Sequence, residues 1–195
     1  MLLSASRIIA GAMERRRAEE ELRTSEKEYR TLFEEMSQGV VYQDAEGSII
    51  SANPAALQIL GLTMDEITGR TSRDPRWKAV DENGDELPGD RHPAMIALRT
   101  GERVEDFIQG IFNPRVEEYR WILVNTVPQF RDGEDKPFRV FSSFEEITEL
   151  KRTQWELEES EESYRRVNES IREVIYAVDD DGIITFISGA VEDYF

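Results

Sequence analysis

Hydrophobic positions along this chain change their period twice, and the second change repeats the first. From Glu14 to Met36 the apolar residues are sparse and step by seven, with Leu22, Tyr29 and Met36 on one seam among Glu, Lys and Arg. That is the spacing of an amphipathic helix that pairs along a stripe or lies on its own domain. In "GVVYQDAEGSIISAN" the pattern becomes two short β-rich runs joined by an acidic turn closed by Gly47, which predicts a hairpin. From Glu149 the passage begins again. Leu150, Leu157, Tyr164 and Ile171 step by seven, Thr153, Ser160 and Val167 make a weaker second seam, and "IYAVDDDGIITF" opens another hairpin. Glu14–Ala56 aligns with Glu149–Val191 without a gap, with identities that include Leu22/Leu157, Tyr29/Tyr164, Arg30/Arg165, Asp44/Asp179, Gly47/Gly182 and Ile49/Ile184. The offset is far longer than the roughly 20–50 residues of a solenoid unit, so the repeat predicts tandem domains, the second represented by its opening only.

Between the copies the pattern fills out one domain. "NPAALQILG" predicts a short helix with Asn53 as N-cap, Pro54 at its first position and Gly61 as its stop, and "MDEITGR" adds a helical turn. The stretch "TSRDPRWKAVDENGDELPGDR" is dense in Asp, Gly and Pro and reads as loop; "HPAMIALRTG" reads as a helix from Pro93 to Gly101. Three strands follow, in "RVEDFIQGIFN", "EYRWILVNTVPQFR" and "KPFRVFSSFEEI", the last two joined through "DGEDK". The order is β-β-α-α-α-β-β-β between two charged helices. "WILVNTV" is apolar on both faces where a sheet with one wet face alternates. The sheet is therefore expected to be covered twice, by the short helices on one side and by a flanking helix or a partner on the other.

Composition narrows the functions. The chain has 195 residues and a formal net charge of −17, a surface that repels phosphate backbones and anionic lipids, so neither nucleic acid nor a membrane surface is an expected partner. It has no cysteine, which excludes disulfides, thiolate nucleophiles and Cys-held metals. No apolar run reaches the roughly 20 residues of a membrane span, and in "MLLSASRIIAGAMERRR" the basic cluster follows the apolar part, the reverse of a secretory signal. The expected location is the cytoplasm.

The hairpin, the Asn-capped helix and the closing "EIT" occur in an order that resembles the PAS domain, the small sensor module of signalling proteins, over about Glu26 to Thr148. The resemblance implies an α+β fold: a five-stranded antiparallel sheet with short helices on one face, flanked by long signalling helices, followed by the first hairpin of a second PAS domain. The implied boundaries are 1–24 for an N-terminal linker helix, similar to the closing helix of a GAF domain; 25–148 for the PAS domain; 149–172 for a coiled-coil-like linker; and 173–195 for the second domain's start. It implies a signal junction at Glu146, Ile147 and Thr148, where the family has Asp-Ile-Thr, with Thr148 placed to cap the outgoing helix. Leu150, Leu157, Tyr164 and Ile171 are the expected dimer seam.

The family also implies a parent chain, most often a sensor histidine kinase, with further PAS and kinase domains downstream. The segment itself is expected to be non-catalytic, because it lacks both a Gly-rich phosphate loop and a phosphoacceptor histidine exposed on a helix. The alternatives are a haem- or flavin-binding redox sensor, or a regulatory PAS module of a transcription factor or cyclic-nucleotide enzyme. The sole histidine, His92, precedes Pro93 at a helix mouth, where its ring is expected to cap backbone or meet solvent; covalent flavin photochemistry lacks its cysteine. "IYAVDDDG" resembles the acidic pocket of a response-regulator receiver, but its counterpart "VVYQDAEG" turns directly into a strand, so an Asp-rich hairpin turn is the expectation. Calcium loops with Gly84 or Gly182 at the turn position fail at their first ligand, which would be Ala79 or Ala177.

PAS domains bind ligands between the short helices and the inner sheet face. By alternation Trp121, Leu123, Asn125 and Val127 share one face, Phe138, Val140, Ser142 and Phe144 another, and Phe107, Gln109 and Ile111 a third. Asn125, Ser142 and Gln109 are polar among apolar residues, the mixture of a small-molecule site. The candidate set is Trp121, Asn125, Gln109, Ser142, Phe107 and Leu123, for an unknown small molecule or none, the polar groups in the second case satisfying one another.

Overall fold

The structure, a computed structural model, describes residues 2–170 and 176–187, with side chains over 13–167 and 176–185. The chain forms two compact units, Met1–Ile147 and Thr148–Phe195.

The first unit opens with helix α1 (Leu2–Glu35), then β1 (Gly39–Asp44) and β2 (Ile49–Ala52), helices α2 (Pro54–Leu60) and α3 (Met64–Ile67), and the two-residue strand β3 (Ala79–Val80). A single 3₁₀ turn (Gly89–Arg91) leads into α4 (Pro93–Thr100), and the long strands β4 (Val104–Asn113), β5 (Glu118–Gln129) and β6 (Arg139–Glu146) close the unit. The sheet runs β2-β1-β6-β5-β4-β3 and every neighbouring pair is antiparallel. It has six strands: the five expected, and β3 at the edge beside β4, within the stretch read as loop. Lys78 and Leu87 supply backbone bonds around it, to Phe112 and Ala79, pairings between distant segments that leave no local periodicity.

Local chemistry explains the element ends. Asn53 is fully buried; its Oδ1 accepts from Ala56 N at 2.9 Å as the N-cap of α2 and from Val40 N at 2.8 Å, while its Nδ2 donates to Gln38 O. One side chain thus starts a helix and ties it to β1. Gly61 ends α2 in the left-handed conformation, and Thr63 with Glu66 forms a reciprocal capping box on α3. At the hairpin, Asp44 Oδ1 accepts from Ser48 N at 2.7 Å and Glu46 N at 3.1 Å, and Gly47 takes φ 84°, which a side chain would strain.

The inner core of the sheet is built from Val41, Ile111, Ile122, Val124 and Phe144 against Ala56, Ile59, Leu60 and Ile67 of the short helices. The opposite face carries an aromatic ladder: Tyr29 stacks on Phe33 of α1, Phe33 meets Tyr42, and Tyr42 meets Phe141, with centroids 5.2–6.4 Å apart. The Tyr29 and Tyr42 hydroxyls are 3.1 Å apart, and burial together with that bond raises the Tyr42 phenol to about 12. The end of α1 therefore covers the part of the second face formed by β1.

The second unit begins with α5 (Thr148–Ser170), whose first residue is Thr148, inside the helix and not ahead of it as an N-cap, with Glu149 in its first turn. Its hairpin, β7 (Tyr176–Val178) and β8 (Ile184–Ile187), repeats the first one residue for residue. Val41↔Ala52, Tyr42↔Ser51 and Gln43↔Ile49 in the first become Tyr176↔Ile187, Ala177↔Phe186 and Val178↔Ile184 in the second, with the irregularity at the same step. Asp179 Oδ1 accepts from Asp181 N and Ile183 N, and Gly182 takes φ 79°, as Asp44 and Gly47 do. The Asp-rich stretch is a hairpin turn. Ile171 and the ends of the linker (171–172) and of the second copy (188–195) lie outside the described residues.

Candidate functional site: a polar-lined cavity on the inner sheet face

Strand register decides which side chains meet. Gln109 pairs with Ile122, Val124 with Phe144, Thr126 with Ser142 and Val41 with Ser142, so these residues share the inner face. Opposite them lie α4 and the turn before it. Gly89 opens that turn, and a Cβ there would stand 2.1 Å from the Ser72 carbonyl oxygen, so only glycine lets the turn close on the Ser72–Arg73 backbone. This approach carries His92, at the start of α4, over the sheet.

The result is a cavity of about 80 Å³ lined by Val41, Ile49, Leu60, Trp77, Ile111, Ile122, Val124 and Phe144, with Gln43, Ser72, His92, Gln109 and Ser142 as its polar groups and Pro93 and Ala94 at one end. Three of the polar groups are engaged. Gln43 Nε2 donates to Gly47 O at 2.8 Å and reaches Ser72 Oγ at 3.4 Å, and the Ser142 and Thr126 hydroxyls are 2.8 Å apart. Two are not: His92 Nε2 and Gln109 Oε1 are buried without a hydrogen-bond partner, on residues each 7% exposed. Burial pushes the His92 imidazole below its ordinary value of 6.5, against a smaller raising effect of its bond to the Leu87 backbone. The ring is therefore neutral at pH 7.

Of the six residues picked from alternation, Gln109 and Ser142 line the cavity, and Phe107 packs against the core from the same face without lining it. Trp121, Leu123 and Asn125 lie on the other face of β5. Trp121 is buried over Gly110, its cross-strand partner, and Asn125 Oδ1 accepts from Asp106 N at 3.0 Å, holding the bulge where Asp106 takes φ 51°. The correction has a physical cause: β5 is apolar on both faces, so alternation along it marks no inside, and only pairing with β4 and β6 does. His92 is corrected too. It stands at the N-cap position but makes no side-chain cap bond, and its ring faces the cavity instead of solvent. The contributions of Gln43, Ser72 and Trp77 come from segments far apart in sequence and left no local signal.

Residues 27–91 match the family model described as PAS domain. Sporulation kinase E of Bacillus subtilis (strain 168) is 43% identical over 60 residues, which is 31% of this chain and 8% of the kinase's length. Among solved structures, the PAS domain of an HTR-like protein from Haloarcula marismortui superposes with a TM-score of 0.50 at 20% identity, over 68% of this chain and 99% of that one. An RNA-binding light-oxygen-voltage receptor superposes with a TM-score of 0.51 at 20% identity, over 69% of this chain and 36% of that one. With the antiparallel sheet and its inner-face helices, these matches give the first unit the PAS fold, α+β. The cavity here is several-fold below the roughly 300–1,000 Å³ of a drug-sized ligand site. Among the described residues there is no group of three or more potential metal ligands and no helix long and apolar enough to cross a membrane.

Proposed function

We propose that this chain is the sensory and dimerisation segment of a cytoplasmic sensor histidine kinase or related sensor, in which the PAS cavity is coupled to helix α5 and α5 leads into a second PAS domain. The observation that carries the reading is a single strand: β6 lines the cavity with Ser142 and Phe144 and ends at Glu146, and α5 starts at Thr148. Any change in how the cavity is filled acts on a strand two residues from the helix. The kinase match supports the parent class, and the identical register of the two hairpins supports a second PAS domain. The partner on α5 is taken to be a second copy, since Leu150, Leu157 and Tyr164 are 67%, 60% and 72% exposed along one seam.

Ser142→Val breaks the Thr126 bond and alters the cavity without touching the junction. Hydrogen exchange of residues 149–157 should change in the variant. Exchange there identical to wild type, in a protein whose β5 and β6 amides do respond, would sink the coupling.

A further inference from the structure

One wall of the cavity faces both inward and outward. Of the residues that line it, Trp77 alone is half-buried and the others are buried. The Trp77 side chain, packed against the core, is therefore what stands between the cavity and water.

That wall is also held differently from the rest. Most of the lining sits on strands and helices, which open only when ladder or helix bonds break. Ser72 is pinned where Gly89 closes on its carbonyl, and His92 heads α4. Trp77 lies in the turn segment between α3 and β3, with its backbone fixed on both sides: Ile49 bonds Gly69 and Arg70, and Lys78 O accepts from Phe112 N at 2.9 Å. The ring is fastened more lightly. Its Nε1 donates to Thr71 O at 2.9 Å, and the Arg70 guanidinium lies 5.5 Å from the ring centroid. Arg70 Nε is buried without a hydrogen-bond partner, so that nitrogen does not tie the guanidinium to another group. Breaking one hydrogen bond and one cation–π contact thus frees the indole to rotate while the backbone stays in place.

We infer that Trp77 is the gate of the cavity: its side chain swings on a fixed backbone to admit small uncharged molecules, and the Thr71 carbonyl together with Arg70 latches it shut. The lining carries no Lys, Arg, Asp or Glu, so a charged molecule that passed the gate would lose its hydration without gaining a counter-charge. This rests on the reading of the cavity as the sensory site, and it makes the rate at which the site fills depend on one side chain.

Xenon enters apolar protein cavities, and ¹²⁹Xe NMR saturation transfer on the full chain reads its rate of release. Trp77→Ala should release xenon about tenfold faster than wild type, the factor expected when a hydrogen bond and a cation–π contact no longer hold the opening. Leu60→Ala is the control: it enlarges the cavity from a buried wall and should leave release close to the wild-type rate. Trp77→Phe, without the N–H, and Arg70→Met, without the charge, should each release xenon faster than wild type and more slowly than Trp77→Ala. These two decide the matter if Trp77→Ala fails to fold. The inference is overturned by xenon that does not bind wild type, by release at the wild-type rate from Trp77→Ala or from both latch variants, or by Leu60→Ala that speeds release as much as Trp77→Ala does. None of these results touches the coupling of the cavity to α5, which fails on the separate Ser142→Val exchange measurement.

Discussion

His92 shows how one side chain couples burial to pH. Its folded-state affinity for a proton is depressed, first by burial, so between the unfolded value of 6.5 and the lower folded one the unfolded chain binds more protons. Stability attributable to His92 is therefore complete above pH 6.5 and is lost as pH falls through the folded value. Thermal unfolding followed from pH 7.5 to 5 should show a midpoint that drops below pH 6.5 in wild type and drops less in His92→Gln. Parallel curves would mean that the ring is solvated. The residue itself was visible in the sequence as a lone histidine before a proline, but its direction was not. The backbone approach that aims it depends on Gly89 against Ser72, a contact between residues 17 positions apart.

At the level of elements, the punctuation was legible and the faces only partly so. Asn53, Gly61 and Gly101 end or begin helices where their chemistry requires. Alternation identified the inner faces of β4 and β6, because Gln109 and Ser142 interrupt otherwise apolar rows, whereas β5 offered two apolar rows and the wrong one was chosen. The edge strand β3 was hidden because two residues carry no period. The hairpin of the repeat was legible: an offset found by identity at Asp44/Asp179 and Gly47/Gly182 is matched by identical hairpin register. Asn53 joins two such elements. Replacing it with alanine removes the α2 cap, which costs about 1 kcal/mol, and leaves the buried Val40 N–H without its acceptor, which costs about 1–3 kcal/mol more. Asn53→Ala should accordingly lower the unfolding free energy by roughly 2–4 kcal/mol in urea titrations. A loss under 1 kcal/mol would show that water replaces the amide.

For the whole molecule, the question is what the exposed seam of α5 is for. The helix has 23 residues, about 34 Å at 1.5 Å per residue, and its remaining surface is crowded with Glu, Lys and Arg. Leu157 lies at the middle of the seam, and its counterpart Leu22 on α1 is 61% exposed, so both copies of the repeat present the same stripe. In a parallel dimer that stripe is buried, and a glutamate at its centre then carries an unpaired charge out of water. The most direct measurement is light scattering over a range of concentrations on wild type and Leu157→Glu, with circular dichroism to verify the fold. The account predicts a wild-type dimer, weak because Thr153 and Ser160 dilute the second seam, and a folded monomer for the variant. A wild type that stays monomeric at every concentration, or a variant that dimerises undiminished, would contradict it.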